Sequence, residues 1–403
     1  MNRIGWLRLY RFGLRLLLFP VSVPLAVGLY LVSLWEPVRI MRLNTSRVGH
    51  LGVDAEYALS EIEKYGSRFR LFMVPSRMDL PIANRALVSL WRKSATCIPS
   101  LIGDPLVWTV KVLRLDNRLI YRPPKGVSGR FNWGTDPFGV TADGAAHLKF
   151  HPRDSERALA QLQCMGLDMT KPVVCIHVRD GSYHAQHSSG QWKEPHSWRN
   201  LSIADFEQAA QLLANRGFQV VRLGVSTSQR FLAADEKVIF DYANNGFRDE
   251  FLDVFLVARC SFMMSTSSGI DSLSQTFRKP LYNVGVIAPS QLYIHRNVHS
   301  IVQRFISMVD GHRLTLSESM ALPKITDRSL WSLKLGLQPN TSQQIADLAG
   351  EAAERFLGNW QPSNHQRELQ TRFLALLPSE FRRFSIRGGI GSRFLEEHAD
   401  WLK

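Results

Sequence analysis

The segment Val173 to Tyr183, VVCIHVRDGSY, is apolar and β-prone until it stops at Arg179-Asp180-Gly181. An open α/β sheet accommodates such a charged break at a strand end, and ligands bind beyond the carboxyl ends of its strands. Arg179 is therefore aimed where a substrate would sit. Further on, CSFMMSTSSGIDSLSQTF carries a second strand, Cys260 to Ser265, whose Thr/Ser/Gly turn opens a helix over Ile270 to Phe277. Hydroxyls and helix N-terminal amides are the usual grip on phosphate. An arginine and a serine-rich turn on two strand ends of one sheet make a diphosphate clamp. They imply an enzyme that handles a nucleotide-activated group.

Other chemistries are narrowed by what the chain lacks. There is no G-x-x-x-x-G-K-[ST] for a P-loop, no G-x-G-x-x-G after a first strand and no G-x-S-x-G elbow. No two aspartates stand as D-x-D, so a metal-clamped sugar nucleotide is not expected, nor any other metal or cofactor. His184, His187 and His196 share one polar loop without the paired spacing of a zinc site. Tyr183, Trp192 and Trp198 in the same loop are candidates to stack on a sugar or base.

The elements that must hold these residues alternate between strand and helix. In the first half, strand Ile40–Leu43, helix Asp54–Lys64, strand Phe69–Val74 and helix Leu80–Lys93 read as one α/β domain, over 40–165. In the second, over 166–340, strands are expected at 173–178, 218–223, 260–265 and 281–284. Between them lie a helix capped by Ser202 with Asp205 in a capping-box pattern and the helix Asp249–Arg259. The series implies a parallel, doubly wound sheet. Residues 341–403 add a helix over Ser342–Leu357 and a basic tail. The fold class is α/β, two Rossmann-like domains facing a cleft, behind an N-terminal element over 1–39.

That element holds Leu16 to Trp35, twenty uncharged and mostly apolar residues between basic flanks. A helix of that length covers about 30 Å, the core of a bilayer. Pro20 and Pro24 would break or kink it. A re-entrant hairpin with both ends on the cytoplasmic side, a single kinked span and a buried soluble helix pair all fit. The net charge of +14 suits an acidic membrane surface and phosphorylated substrates. No recognition helix, zinc finger or aromatic RNA-binding signature accompanies it, so nucleic acid is not expected as a partner. Cys97, Cys164, Cys175 and Cys260 are far apart in sequence and read as reduced thiols of a cytosolic domain.

HVRD at 177–180, VVRLG at 220–224, FLDVFLVA at 251–258 and STSSG at 265–269 come in the order of the fucosyltransferase-like group of GT-B glycosyltransferases. With RVGHLG at 47–52 the chain also resembles an uncharacterised bacterial glycosyltransferase family of surface-polysaccharide gene clusters. The resemblance spans roughly residues 40 to 310 and implies metal-independent transfer of a sugar from a nucleotide donor. It places Arg179 on the donor diphosphate, Asp253 and His177 by the base or ribose, and Ser267 and Ser268 on phosphate, with Gly269 in their turn. Asp180 stands where fucosyltransferases usually show a second basic residue, so GDP-fucose is not implied.

Blander roles are open to the same residues. Arg179 can pair with Asp180 or Asp253, and Ser267 and Ser268 can simply cap a helix. An acceptor hydroxyl also needs a base that titrates near neutrality. His50, on the glycine-flanked turn after the first strand, fits by position, with Glu56 and Asp54 in reserve. The chain is expected at the inner membrane, facing the cytoplasm, with a glycan or lipid-linked acceptor. A non-catalytic member of a polysaccharide-assembly complex is the alternative.

Overall fold

Val173–His177 (β3) is a short run of buried apolar residues ending in a histidine, and the larger sheet grows from it in both directions. The computed structural model describes residues 9, 12–66, 69–76, 81–123, 136, 139–182, 197–225, 227–287, 292–323, 325–379 and 385–403. They fall into two compact units, Met1–Pro124 with Gly144–Phe150 and Lys125–Asp143 with His151–Lys403.

In the second unit β4 (Gln219–Leu223) and β5 (Ile239–Phe240) extend the sheet on one side of β3. On the other side come β6 (Phe262–Ser265), β7 (Leu281–Val286), β8 (Val298–Val302) and, at the edge, β11 (Gly389–Ile390). All six pairings are parallel. Parallel strands need helical crossovers, and helices cover the sheet accordingly. Val174, Ile176, Phe262 and Met264 share a core with alanine-rich faces of helices Glu207–Asn215 and Ser342–Leu357. Strand order reverses between β3 and β6, which makes the gap between their carboxyl ends the topological switch point.

Several expectations shift. Ser202 caps a 3₁₀ turn, Ile203–Phe206, that leads into the helix, so the capping box is not formed. The helix after β6 is Ser272–Thr276, five residues long. The tail joins the fold: β11 pairs with β8, and Trp401 is buried on Phe373 and Phe394. A two-stranded antiparallel sheet, β9 (Arg304–Ser307) with β10 (Leu335–Gln338), was not anticipated.

In the first unit β1 (Val38–Leu43) and β2 (Arg70–Pro75) pair in parallel, with bridges to Ile120 and Cys97 on either side. Helix Val48–Tyr65 follows β1 directly, so RVGHLG is the helix start and not a turn; Gly49, Leu51 and Gly52 face inward. Phe19–Trp35 is one helix that runs through Pro24, and a turn at Leu18, two residues before Pro20, separates it from the helical residues 12–17. At 17 residues it covers about 26 Å. No helix among the described residues is long and apolar enough to cross a membrane. All four cysteines are free thiols.

Candidate functional site

Two loops meet at the switch point and are stitched together by backbone. The Arg179 N–H donates to Thr266 Oγ1 at 2.9 Å, and the Thr266 N–H donates to the His177 carbonyl at 3.3 Å. His177 Nδ1 lies 3.0 Å from Ser268 Oγ. In register across the ladder His177 stands beside Ser265, and Ser265 beside Asn283. The sheet therefore carries a buried polar row at its carboxyl end. Both side-chain polar atoms of Asn283 have no hydrogen-bond partner among the described residues.

Burial lowers the pKa of His177 to about 4, with Arg222 and Arg179 adding to the shift, so at neutral pH its ring is neutral. Burial also pulls Arg179 down to about 10, helped by the positive charge of Arg199 and opposed by Asp327; it stays charged. Arg199 escaped the sequence reading. It follows Trp198 in the turn Ser197–Arg199, and the chain just beyond is fixed by the Leu201 N–H donating to the Arg179 carbonyl at 2.9 Å. Its Nη2 donates to the Ser267 carbonyl, and its Nε is buried without a partner among the described residues. Loop residues have no periodicity, so no pattern marked it.

The Ser267 backbone is left-handed at φ 55°, a conformation that costs a non-glycine residue about 1–3 kcal/mol. Its buried hydroxyl has no partner among the described residues. The Ser268 amide, expected to be open to phosphate, donates to Asp271 Oδ2 at 2.8 Å. Burial raises the carboxyl of Asp271 to about 6, against the pull of Arg199 and that amide. Gly269 is exposed at the turn. The groups here with the chemistry to meet an anion are thus guanidiniums and hydroxyls, and the expected amide of Ser268 is engaged.

Asp180 is occupied as well. Its carboxylate accepts from the Ser182 N–H at 3.1 Å, the Ser228 N–H at 2.6 Å and the Ser228 hydroxyl at 2.9 Å. Burial works to raise its pKa, but these hydrogen bonds outweigh it and leave the carboxyl below its ordinary range. It ties the loops after β3 and β4. Asp253 lies buried on helix Glu250–Arg259, with Oδ2 2.6 Å from Arg248 Nη2. Burial raises it to about 6, with Arg248 pulling the other way. The structure thus gathers His177, Arg179, Ser267 and Ser268, and gives Asp253 to Arg248.

In the first unit His50 is half-exposed in the first turn of helix Val48–Tyr65, its Nδ1 3.2 Å from Asp54 Oδ2. That hydrogen bond raises its pKa over the opposing effects of burial and Arg47. Glu56 on the same helix is fully buried. It accepts from the His147 N–H at 3.2 Å and meets the His147 ring at 3.0 Å, which anchors the segment Gly144–Phe150. His184, His187, His196, Tyr183 and Trp192 lie outside the described residues. Trp198 is held by its carbonyl, which accepts from Gln303 at 3.0 Å. Among the described residues no group of three His, Cys, Asp or Glu is placed to hold a metal ion.

No family model and no curated protein matches the chain. Among solved structures it is similar to ADP-heptose LPS heptosyltransferase II of E. coli, at 13% identity and a TM-score of 0.43, over 79% of this chain and 99% of that one. A family 9 glycosyl transferase from Veillonella parvula is 11% identical with a TM-score of 0.41, over 66% and 86%. E. coli heptosyltransferase WaaC is 10% identical with a TM-score of 0.30, over 65% and 92%. TM-scores this low carry no argument about the reaction.

Proposed function

We propose that the chain is a GT-B-type glycosyltransferase that moves a sugar from a nucleotide-sugar donor to a membrane-associated glycan or lipid-linked acceptor. The observation that carries this reading is the placing of Arg179 and the Ser267–Ser268 turn on neighbouring strand ends at the switch point of a parallel sheet. As the bond from the anomeric carbon to the diphosphate breaks, negative charge gathers on the leaving oxygens. Arg179, Arg199 and the Ser267 hydroxyl supply fixed positive and polar groups for it, a role a metal fills in other transferases. His50, whose pKa is raised by Asp54, takes the proton of the acceptor hydroxyl. In the same reading the enzyme works at the cytoplasmic face of the inner membrane, in surface-polysaccharide synthesis.

A thermal-shift screen of detergent-purified protein against GDP, UDP, CMP, ADP and dTDP, with and without EDTA, tests this. A ligand at about a hundred times its Kd stabilises by about 2.7 kcal/mol, a shift of several degrees. The expected result is a shift with one diphosphate, unchanged by EDTA and lost in Arg179→Ala. Flat curves with all five would favour a non-catalytic component of a polysaccharide-assembly complex.

A further inference from the structure

Helix Phe19–Trp35 carries no charged residue and is apolar all round, a composition that needs cover on every side. Protein supplies one stripe of that cover. Ser22, Ala26 and Ser33 are its buried residues, and it packs on helix Ser100–Val112 through the Ser22–Thr109 hydroxyl pair at 2.8 Å. Leu29 and Tyr30 also pack on the core of this unit, and much of the rest is open: Trp35 is 82% exposed, Val21 60% and Leu31 48%. The second helix adds Leu101 at 61%, Ile102 at 49% and Val112 at 49%. Leu101, Trp108 and Val112 fall on one stripe of that helix, and Trp108 packs edge-on against Phe19 at 5.5 Å. The two open surfaces therefore join into one contiguous apolar face, which single scattered residues would not.

The charge around this face is mainly basic. Asp104 is the sole acidic residue in either helix, and it is buried against Arg42 and Ser100. Lys111 and Arg114 are exposed at one helix end. Arg118 donates to the Ser33 hydroxyl at 2.8 Å and lies over the Tyr30 ring. Its neighbour Asn117 lines an open cavity of about 430 Å³, where Arg39 and Arg122 stand among Tyr65, Phe69 and Tyr121. Of the nearby carboxylates, Glu36 and Asp116 are each paired with an arginine, and Glu61, which also lines the cavity, accepts from the Tyr121 hydroxyl.

We propose that the two helices form a plate that lies in the plane of a bilayer, its apolar side chains in the acyl boundary and its basic rim on anionic headgroups. An amphipathic surface with an apolar floor and a Lys/Arg rim binds membranes in this way without spanning them. A second copy of the chain fits worse, because it would bring two like-charged rims face to face. The proposal does not depend on the transfer reaction.

Vesicle flotation of the full chain tests it, using phosphatidylcholine alone and phosphatidylcholine with about one-third phosphatidylglycerol. The wild type is expected to float with the anionic vesicles and much less with the neutral ones. Leu101→Glu with Ile102→Glu, in the first turn of its helix where acidic side chains are tolerated, should cut the bound fraction at least about tenfold. Leu232→Glu, an exposed position of the second unit, should leave it unchanged. A double variant that melts like the wild type and still floats equally would overturn the plate, and equal binding to both vesicles would overturn the headgroup contact. Sedimentation showing a dimer that the double variant splits, with no flotation, would assign the face to a second copy.

Discussion

Arg179 and Arg199 repel each other, and burial adds to the cost of keeping Arg179 charged. An anion placed between them relieves both penalties, so the pair is primed for a ligand richer in negative charge than one carboxylate. A charge-assisted contact of this kind contributes about 1.5–3 kcal/mol to binding. Arg199→Ala should therefore weaken nucleoside-diphosphate binding at least about tenfold by calorimetry, with Arg199→Lys intermediate because lysine keeps the charge but not the fork. A lower melting temperature with an unchanged Kd would reduce Arg199 to a tie on the Ser267 carbonyl. The two arginines differ in how they can be found. Arg179 was legible because a buried strand cannot continue through Arg-Asp-Gly, which puts the charge at the strand end. Arg199 acquires its neighbours only when the chain folds back over β3, and Asp271 takes the Ser268 amide only because the turn closes on itself.

Strands with a strong apolar pattern were read within two residues, but the helices expected from Asp54 and Leu80 start at Val48 and Arg85. Helix Ser342–Leu357 was read to its ends because its cap and glycine stop are both local. Helix Asn364–Leu376 was not read, although Leu369, Phe373 and Leu377 stand four apart and are buried. Its density of charged and amide side chains hid a narrow stripe. Links between elements leave even less in the sequence. Between Asn283 and Val286 the β7–β8 ladder slips, and Gly285 turns to φ 70°. Asn340 bridges the gap: the Gly285 N–H donates to its Oδ1 at 2.9 Å, and its Nδ2 donates to the Val302 carbonyl at 3.0 Å. Asn340→Ala would strand both buried backbone groups, at a cost of about 2–3 kcal/mol. The expected signature is a lower urea midpoint with the slope unchanged. Asn340→Asp, which keeps the acceptor and loses the donor, should fall between. Equal midpoints for all three proteins would show that water replaces the bridge.

At the scale of the molecule, burial of four titratable side chains shapes the acid side of the stability curve. His177 and His299 titrate near 4 and 3 in the fold, lowered by burial first, against an ordinary 6.5. Their stabilising contribution is complete above pH 6.5 and is lost as the pH falls toward those values. Asp253 and Asp271 titrate near 6, raised by burial first, against an ordinary 3.8. Their contribution is complete below pH 3.8 and is lost as the pH rises through 6. Between about pH 4 and 6 the two pairs oppose one another, so these four groups leave stability nearly level where two buried histidines alone would make it fall. Asp271→Asn removes one carboxyl from that balance while keeping an acceptor for the Ser268 amide. Its urea midpoint should drop more steeply than that of the wild type as the pH is lowered from 7 to about 4. The gap between the two proteins should change by on the order of 3 kcal/mol at most. Parallel curves across that range would mean that Asp271 does not take up a proton in the folded protein. It would then stay an anion beside Arg199 below pH 6 as well as above it, a competitor at every pH tested for the site proposed to hold diphosphate.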